Sequence, residues 1–319
     1  MSNRCLCCYK QLQSENTPYP YHVTCIKKFF GKPTLPELPY TNDQMLQLAQ
    51  MVIRSQKTVT GVQPKLSLDL EKGDTAEAPQ KLTIVGLWGN FILKPPTSDY
   101  PEMPELEDLT MHLATIAGIK TVDHCLISLK SGELAYITRR IDRHKGRKLH
   151  MEDMCQLTER LTEQKYNSSH EQIGRAILKF SDNPGFDLLA FLELTIFSFL
   201  TGNNDMHLKN FSLLKNLQGK YGLSPAYDLI AAALLLEEDN EELALTLNGR
   251  KRRLKATDFM ALQKHLQVSD KSMQNTLQKF SAALPAWYEM INESFVSETI
   301  KQRYKEIISS RAARLNLFL

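Results

Sequence analysis

The hydrophobic pattern of this chain changes period in mid-sequence, and that change limits the folds open to it. Between Lys65 and Asp142 the stretches KLSLDLE, KLTIVGL, NFILKPP, HCLISLK and ELAYITRRID alternate apolar and polar side chains or are rich in β-branched and aromatic residues. A period of two describes strands with a buried face, and a polar stretch such as EKGDTAEAPQ between two of them describes a hairpin turn. One segment of the same region, MPELEDLTMHLATIAGI, reads as an amphipathic helix with Pro104 near its start and Gly118 at its C′ end. From Lys148 onward the helical period prevails, through MEDMCQLTERL, HEQIGRAILKF and the buried-looking FDLLAFLELTIFSFLTG. The order strand, strand, helix, strand, strand, followed by helices, predicts an α+β chain of two lobes. The small lobe carries an antiparallel sheet and the large lobe is helical.

Upstream lies a small Cys/His-bearing element, residues 1–31, then a proline-rich connector, KPTLPELPY. A helix is expected from Thr41 to about Ser55, with Met45, Leu48, Ala49 and Val52 at helical spacing. The small lobe is read as 41–145 and the large lobe as 146–319. Composition agrees with an ordinary folded chain: 319 residues, 42% hydrophobic, 24% charged, net charge +3. So small a charge does not imply a nucleic-acid binder, and the dense basic run GRKRRLK reads as a solvated hairpin, so direct nucleic-acid binding is not expected. The N-terminus lacks an apolar core for a signal peptide. The stretch from Leu188 to Leu200 is interrupted by Glu193 and is shorter than the roughly 20 residues of a membrane span, so no membrane association is expected. Four of the six cysteines fall within the first 25 residues, which is not a distributed disulfide framework; a reducing, cytoplasmic location is the expectation.

Within the helical region the loop GNNDMHLKNFSLL, from Gly202 to Leu214, carries Asp205 and, five positions later, Asn210. That is the spacing of a protein-kinase catalytic loop, in which the Asp takes the proton of the substrate hydroxyl and the Asn helps hold a metal ion. A second loop, LSPAYDL, brings Asp228 eighteen residues after Asn210, where the other Mg²⁺-binding carboxylate is needed. His207 and Lys209 lie in the same loop, where a cation could neutralise charge on a transferred phosphoryl group. The alternative is an Asn/Gly-rich turn whose short side chains cap local backbone groups.

Taken together and in order, TGVQPKLSL, FILKPP, MPELEDLTMHLATIAGI, YITRRIDR, TGNNDMHLKNFSLL and LSPAYDL resemble the HipA family of bacterial serine/threonine kinase toxins, from about Thr41 to the C-terminus. The resemblance is nearest to the short HipT type, which lacks the additional N-terminal subdomain of HipA. It implies a protein-kinase-like fold with ATP between the lobes and Mg²⁺ as the metal. The implied activity is transfer of the γ-phosphoryl to a protein hydroxyl, with an aminoacyl-tRNA synthetase as substrate, so that translation is blocked. A HipB-like DNA-binding antitoxin and a small HipS-like protein are the implied partners. Lys94, at the end of NFILK, stands where the small lobe of a kinase places the lysine for the α and β phosphates. Its acidic partner is read as Glu107, with Glu105 as the alternative, because Leu106 stands where the family has Asn. Gly61 is the single glycine of the phosphate-covering loop TVTGVQPK, and Thr58 and Thr60 fall at the positions the family autophosphorylates. They could instead be ordinary strand residues. Arg139, Arg140, Asp142 and Arg143 match a family motif that could pair across the hinge or bind a phosphate, though a surface ion-pair cluster is the commoner explanation. Two rival functions are a pseudokinase that serves an antitoxin–DNA complex and a small-molecule phosphotransferase.

At the N-terminus Cys5 and Cys8 are spaced CxxC, and His22 and Cys25 are spaced HxxC. Two such pairs could make a tetrahedral Zn²⁺ site in an element too small to fold by burial alone. Alternatively the thiols, with Cys7, pack as small hydrophobes against Tyr21, Phe29 and Phe30.

Overall fold

The five alternating stretches form one antiparallel sheet in a computed structural model of the chain, which describes every residue except 1–2, 13–18, 56–63, 72–78, 86–87, 237–238 and 318–319, and not the side chains of 52–55. The strands are β1 (Leu66–Glu71), β2 (Lys81–Ile84), β3 (Phe91–Lys94), β4 (His124–Ser128) and β5 (Leu134–Arg139), in the spatial order β2-β1-β3-β5-β4. Register follows the alternation: Leu66 opposes Leu93, Phe91 opposes Arg139 and Cys125 opposes Ile137. Leu66, Leu68, Leu82, Phe91, Leu93 and Ile137 are buried on this sheet. A slip of one residue would expose that set, so burial fixes the pairing.

Two compact units make up the chain, one of Met1–Asp108, Val122–Arg140 and Glu293–Val296, the other of Leu109–Thr121, Ile141–Asn292 and Ser297–Leu319. In the first unit the N-terminal element covers the edge strand β4, where Leu126 N donates to Leu6 O and Tyr21 Oη donates to Leu126 O. Covering an edge removes a template for unwanted strand pairing. Helix α1 (Val23–Phe30) ends at Gly31, whose φ of 85° is left-handed, and sets Phe29 and Phe30 against Phe91 at ring distances of 5.8 and 6.0 Å. Helix α2 (Asn42–Ser55) begins with a reciprocal cap: Thr41 N donates to Gln44 Oε1 and Gln44 N to Thr41 Oγ1. Helix α3 (Met103–Ile116) contributes its first turns, through Asp108, to this unit.

In the second unit the rest of α3 is held by Trp287 Nε1 donating to Leu113 O and by a hydrogen bond between the Thr110 and Tyr304 hydroxyls. A short ribbon, β6 (Arg143–His144) and β7 (Arg147–Lys148), precedes β8 (Met151–Asp153) and the one-turn helix α4 (Met154–Leu157). Helices α5 (His170–Phe180) and α6 (Pro184–Thr201) follow, then β9 (Ser212–Lys215) and β10 (Tyr221–Leu223), which join β8 in the order β10-β9-β8. Helices α7 (Ala256–His265), α8 (Asp270–Glu293) and α9 (Glu298–Arg314) complete the chain. By length and composition α6 could cross a membrane, yet most of its side chains are buried, including Phe191, Phe197 and Phe199. A helix apolar all round is the core of a helical unit in this setting.

The end of α6 positions the candidate site. Gly202, at φ 74°, caps the helix in the left-handed region that glycine adopts at least cost. Arg311 of α9 donates to Phe199 O at 2.6 Å and lies over the Phe199 ring, so a half-buried cation adds to the bond that Gly202 N makes to the same carbonyl of the last turn.

Candidate functional site

The loop that leaves α6 is held partly by its own polar groups and partly by groups distant in sequence. Asp205 N donates to Asn203 Oδ1 at 3.3 Å, His207 N to Asp205 O at 2.8 Å and Asn210 N to His207 O at 2.9 Å. The side chain of Asn210 is buried, and its Nδ2 donates to Asp205 O at 3.1 Å. With the amide nitrogen so tied, the carboxamide oxygen is the end left for a ligand. Tyr166 Oη donates to Asp205 Oδ1 at 2.6 Å, which orients the half-buried carboxylate. Asp228 takes φ 60°, a left-handed conformation uncommon outside glycine but better tolerated by Asp than by branched residues. Neighbouring bonds hold it there: Tyr227 Oη donates to Lys209 O at 2.9 Å, and Ala226 N donates to Lys120 O at 2.7 Å. Backbone held in such a region by its surroundings is a pattern found at functional sites.

Asp205 and Asp228 both act electrostatically on the Tyr166 phenol and the His207 ring, so the two acids flank one locality. Burial pushes the Tyr166 phenol up, with the Asp205 hydrogen bond adding to it. The Asp228 carboxylate and the Asn210 carboxamide oxygen are hard donors of the kind Mg²⁺ takes, and they fit that ion better than a soft metal.

The cation expected from His207 or Lys209 is not free here. Burial lowers the His207 pKa, only partly opposed by Asp205 and Asp228, so the ring is neutral near pH 7. Its Nδ1 has no partner among the described residues, and the ring meets Tyr166 edge-on at 5.1 Å. Lys209 Nζ lies 2.9 Å from Asp153 Oδ2, the residue that caps α4, so its charge is engaged by that acid.

In the first unit Lys94 ends β3 opposite Tyr136 of β5 and points into the interior. Its Nζ donates to Glu107 Oε1 at 2.7 Å and Oε2 at 2.9 Å, both side chains being buried. Of the two acids considered from the sequence, Glu107 is therefore the one that meets Lys94. Asp108, next in α3, accepts from Tyr9 Oη at 2.8 Å and lies 2.6 Å from His124 Nδ1. Gly61, Thr58 and Thr60 lie outside the described residues. Arg139 donates to Phe29 O and lies over the rings of Phe29 and Phe91, a cation–π contact on a packed surface. Arg143 Nη1 binds Asp142 Oδ2 at 2.5 Å, and Arg140 N donates to Asn90 O. The ligand atoms of Cys5, Cys8, His22 and Cys25 all lie within 4.8 Å of one another.

Glu105 supplies a pH effect of its own. Burial, the largest cause, raises its pKa from 4.5 to about 7, and Oε2 has no partner among the described residues. A carboxyl whose folded pKa is raised contributes most below its unfolded pKa, and that contribution is lost as pH rises through the folded value. The shift from 4.5 to about 7 is worth roughly 3 kcal/mol, lost between those two pH values. Glu105→Gln is expected to remove this loss, so that urea midpoints of variant and parent agree near pH 4.5 and separate in favour of the variant at pH 8. An unchanged pH dependence would contradict the assignment.

Sequence spacing pointed to Asp205, Asn210 and Asp228 as candidates but offered no sign of Tyr166, which sits 39 positions from Asp205, or of Tyr227 as a brace between the two loops. A lone tyrosine in a polar stretch carries no spacing signal.

The chain is similar to known proteins in sequence and in fold. A Haemophilus influenzae protein named "Putative kinase" is 29% identical over 234 residues, 67% of this chain and 64% of that protein. A Sinorhizobium fredii protein, "Putative kinase Y4dM", is 29% identical over 246 residues, 72% of this chain and 59% of that one. The chain thus spans less than two thirds of the length of these curated relatives. Among solved structures, Shewanella oneidensis HipA, in a complex with HipB and operator DNA, superposes with a TM-score of 0.69 at 21% identity, over 88% of this chain and 72% of that one. The Helicobacter pylori proinflammatory kinase CtkA gives 0.55 at 16% identity, over 78% and 93%. Both likenesses support the kinase-like α+β fold. Residues 58–288 match the family described as the HipA-like C-terminal domain, a span that takes in β1 to β10 and both candidate loops, and the chain belongs to that family.

Proposed function

We propose that this chain is an ATP- and Mg²⁺-dependent protein serine/threonine kinase and the toxin of a bacterial toxin–antitoxin system. The observation that carries the reading is the Asp205–Asn210 loop braced to a left-handed Asp228, in a chain of a family whose relatives are named as kinases. Asp205 would accept the proton of the attacking hydroxyl while the γ-phosphoryl passes to that oxygen and ADP leaves. Asn210 Oδ1 and the Asp228 carboxylate would hold the metal. When bound, Mg²⁺ neutralises charge on the phosphates being separated. Lys94, aimed by Glu107, would hold the α and β phosphates. His207 would act as a neutral wall beside Asp205, and Lys209 through its bond to Asp153. Gly61 would let the phosphate-covering loop approach the nucleotide.

The family reading supplies the finer parts. The substrate would be an aminoacyl-tRNA synthetase, and the partners would be a HipB-like antitoxin, as in the complex of the Shewanella protein, and a small HipS-like protein. Phosphate on Thr58 or Thr60 would add a dianion beside ATP and repel it, which would regulate activity. The test is incubation with radiolabelled ATP and a cell lysate, followed by electrophoresis and phosphosite mass spectrometry. Label on a synthetase-sized protein and on Thr58 or Thr60 is expected. Label confined to small molecules would favour a small-molecule phosphotransferase, and no transfer at all would favour a pseudokinase.

A further inference from the structure

We propose that Cys5, Cys8, His22 and Cys25 bind one Zn²⁺ as a structural site that locks the N-terminal element onto the sheet. The four ligand atoms lie within 4.8 Å of one another. A tetrahedral Zn²⁺ with bonds of about 2.3 Å to sulfur and 2.0 Å to nitrogen sets a neighbouring S and N roughly 3.5 Å apart. Cys8 Sγ and His22 Nδ1 are 3.4 Å apart.

The surroundings of these ligands fit a metal as well. His22 Nε2 lies 3.3 Å from Gln11 O, so the ring can donate there and present Nδ1 as the ligand, the arrangement in which a backbone carbonyl fixes the tautomer of a metal-bound histidine. His22 N donates to Cys5 Sγ at 3.3 Å, a bond that favours the thiolate. Cys7, in the middle of the CxxC pair, is not among the four; it approaches Cys125 of β4 and also Cys25. None of these cysteines is in a disulfide.

An element this small has reason to need such a clamp. Among its described residues the one regular helix is the eight residues of α1, too short to be stable without outside support. Small elements of this kind commonly rely on a metal or a cross-link. On binding, the three thiols coordinate as thiolates and release their protons while the imidazole stays neutral. The clamp also reaches the sheet and α3. It fixes the turn from Cys5 to Tyr9, whose Leu6 carbonyl pairs with Leu126 and whose Tyr9 hydroxyl holds Asp108, the neighbour of Glu107. Steadying the Glu107–Lys94 pair is thus a consequence of the clamp, and this second step alone rests on the kinase reading.

Metal analysis of the full chain, purified under reducing conditions and dialysed, is expected to find one zinc per chain. Cys8→Ser is expected to abolish it and Cys7→Ser to leave it unchanged. Should Cys8→Ser fail to fold, Co²⁺ exchanged into the unaltered chain is expected to show tetrahedral d–d bands with thiolate charge transfer. Zinc at trace level that added Zn²⁺ does not restore, iron in its place, zinc retained by Cys8→Ser, zinc lost from Cys7→Ser, or octahedral Co²⁺ would each overturn the site. Weaker ATP binding by the zinc-free chain supports the step to Glu107, and unchanged binding overturns that step while the metal count stands.

Discussion

Asp205→Asn is expected to slow phosphoryl transfer roughly a hundred- to ten-thousand-fold, the range that a positioned general base contributes. The substitution keeps the shape of the side chain and an oxygen that can accept from Tyr166 Oη, now 2.6 Å from the carboxylate. What it removes is the basic oxygen that would take the hydroxyl proton. Because Asp205 is only half-buried, stability is expected to change by about 0.5 kcal/mol or less, as for surface positions. The informative outcome is therefore a slow enzyme with an unchanged unfolding midpoint. A variant that transfers phosphate at the parental rate would remove Asp205 from the chemistry, and a variant that is inactive because it unfolds would leave thermal scans visibly displaced.

Lys94→Met is expected to destabilise the fold as well as weaken nucleotide binding, and the two effects can be separated. Glu107 is 1% exposed and receives two bonds from Lys94, at 2.7 and 2.9 Å. Removing the cation leaves a buried carboxylate short of its main partner, a loss of about 3–5 kcal/mol where such pairs have been broken. The double change Lys94→Met with Glu107→Leu removes both charges together and is expected to recover much of that stability. ATP affinity should stay low in both variants, since neither has the ammonium. A double variant no more stable than Lys94→Met, by urea denaturation, would show that the loss comes from packing and not from the stranded charge.

The parts of this architecture legible in the chain were those written by local rules. Strand β1 announces itself because one face is buried, β3 and β5 because they are short runs of apolar and β-branched residues, and α3 because Pro104 and Gly118 punctuate a helical repeat; Gly118 indeed takes φ 72°. The candidate metal-binding loop was legible through spacing, since a carboxylate and a carboxamide five positions apart can converge within a single turn. Other features depend on contacts distant in sequence. Residues Glu293–Val296 join the first unit because Glu293 meets Arg4 at 2.7 Å and Phe295 packs edge-on against Tyr9 at 5.0 Å. Nothing in the local sequence around Phe295 marks that return. The state of His207 was illegible for a similar reason: a histidine beside two acids reads as a cation until its burial is known. The engagement of Lys209 by Asp153 brings together two residues whose separation carries no pattern.

The most direct test of the proposed chemistry is the Mg²⁺ dependence of ATP binding, measured by calorimetry on the unaltered chain and on Asp228→Ala. If Asp228 and Asn210 hold the metal that bridges the phosphates, adding Mg²⁺ should strengthen ATP binding to the unaltered chain. The same addition should have little effect on the variant. Equal enhancement in both proteins, or ATP binding to the unaltered chain that ignores Mg²⁺, would contradict the assignment of this site.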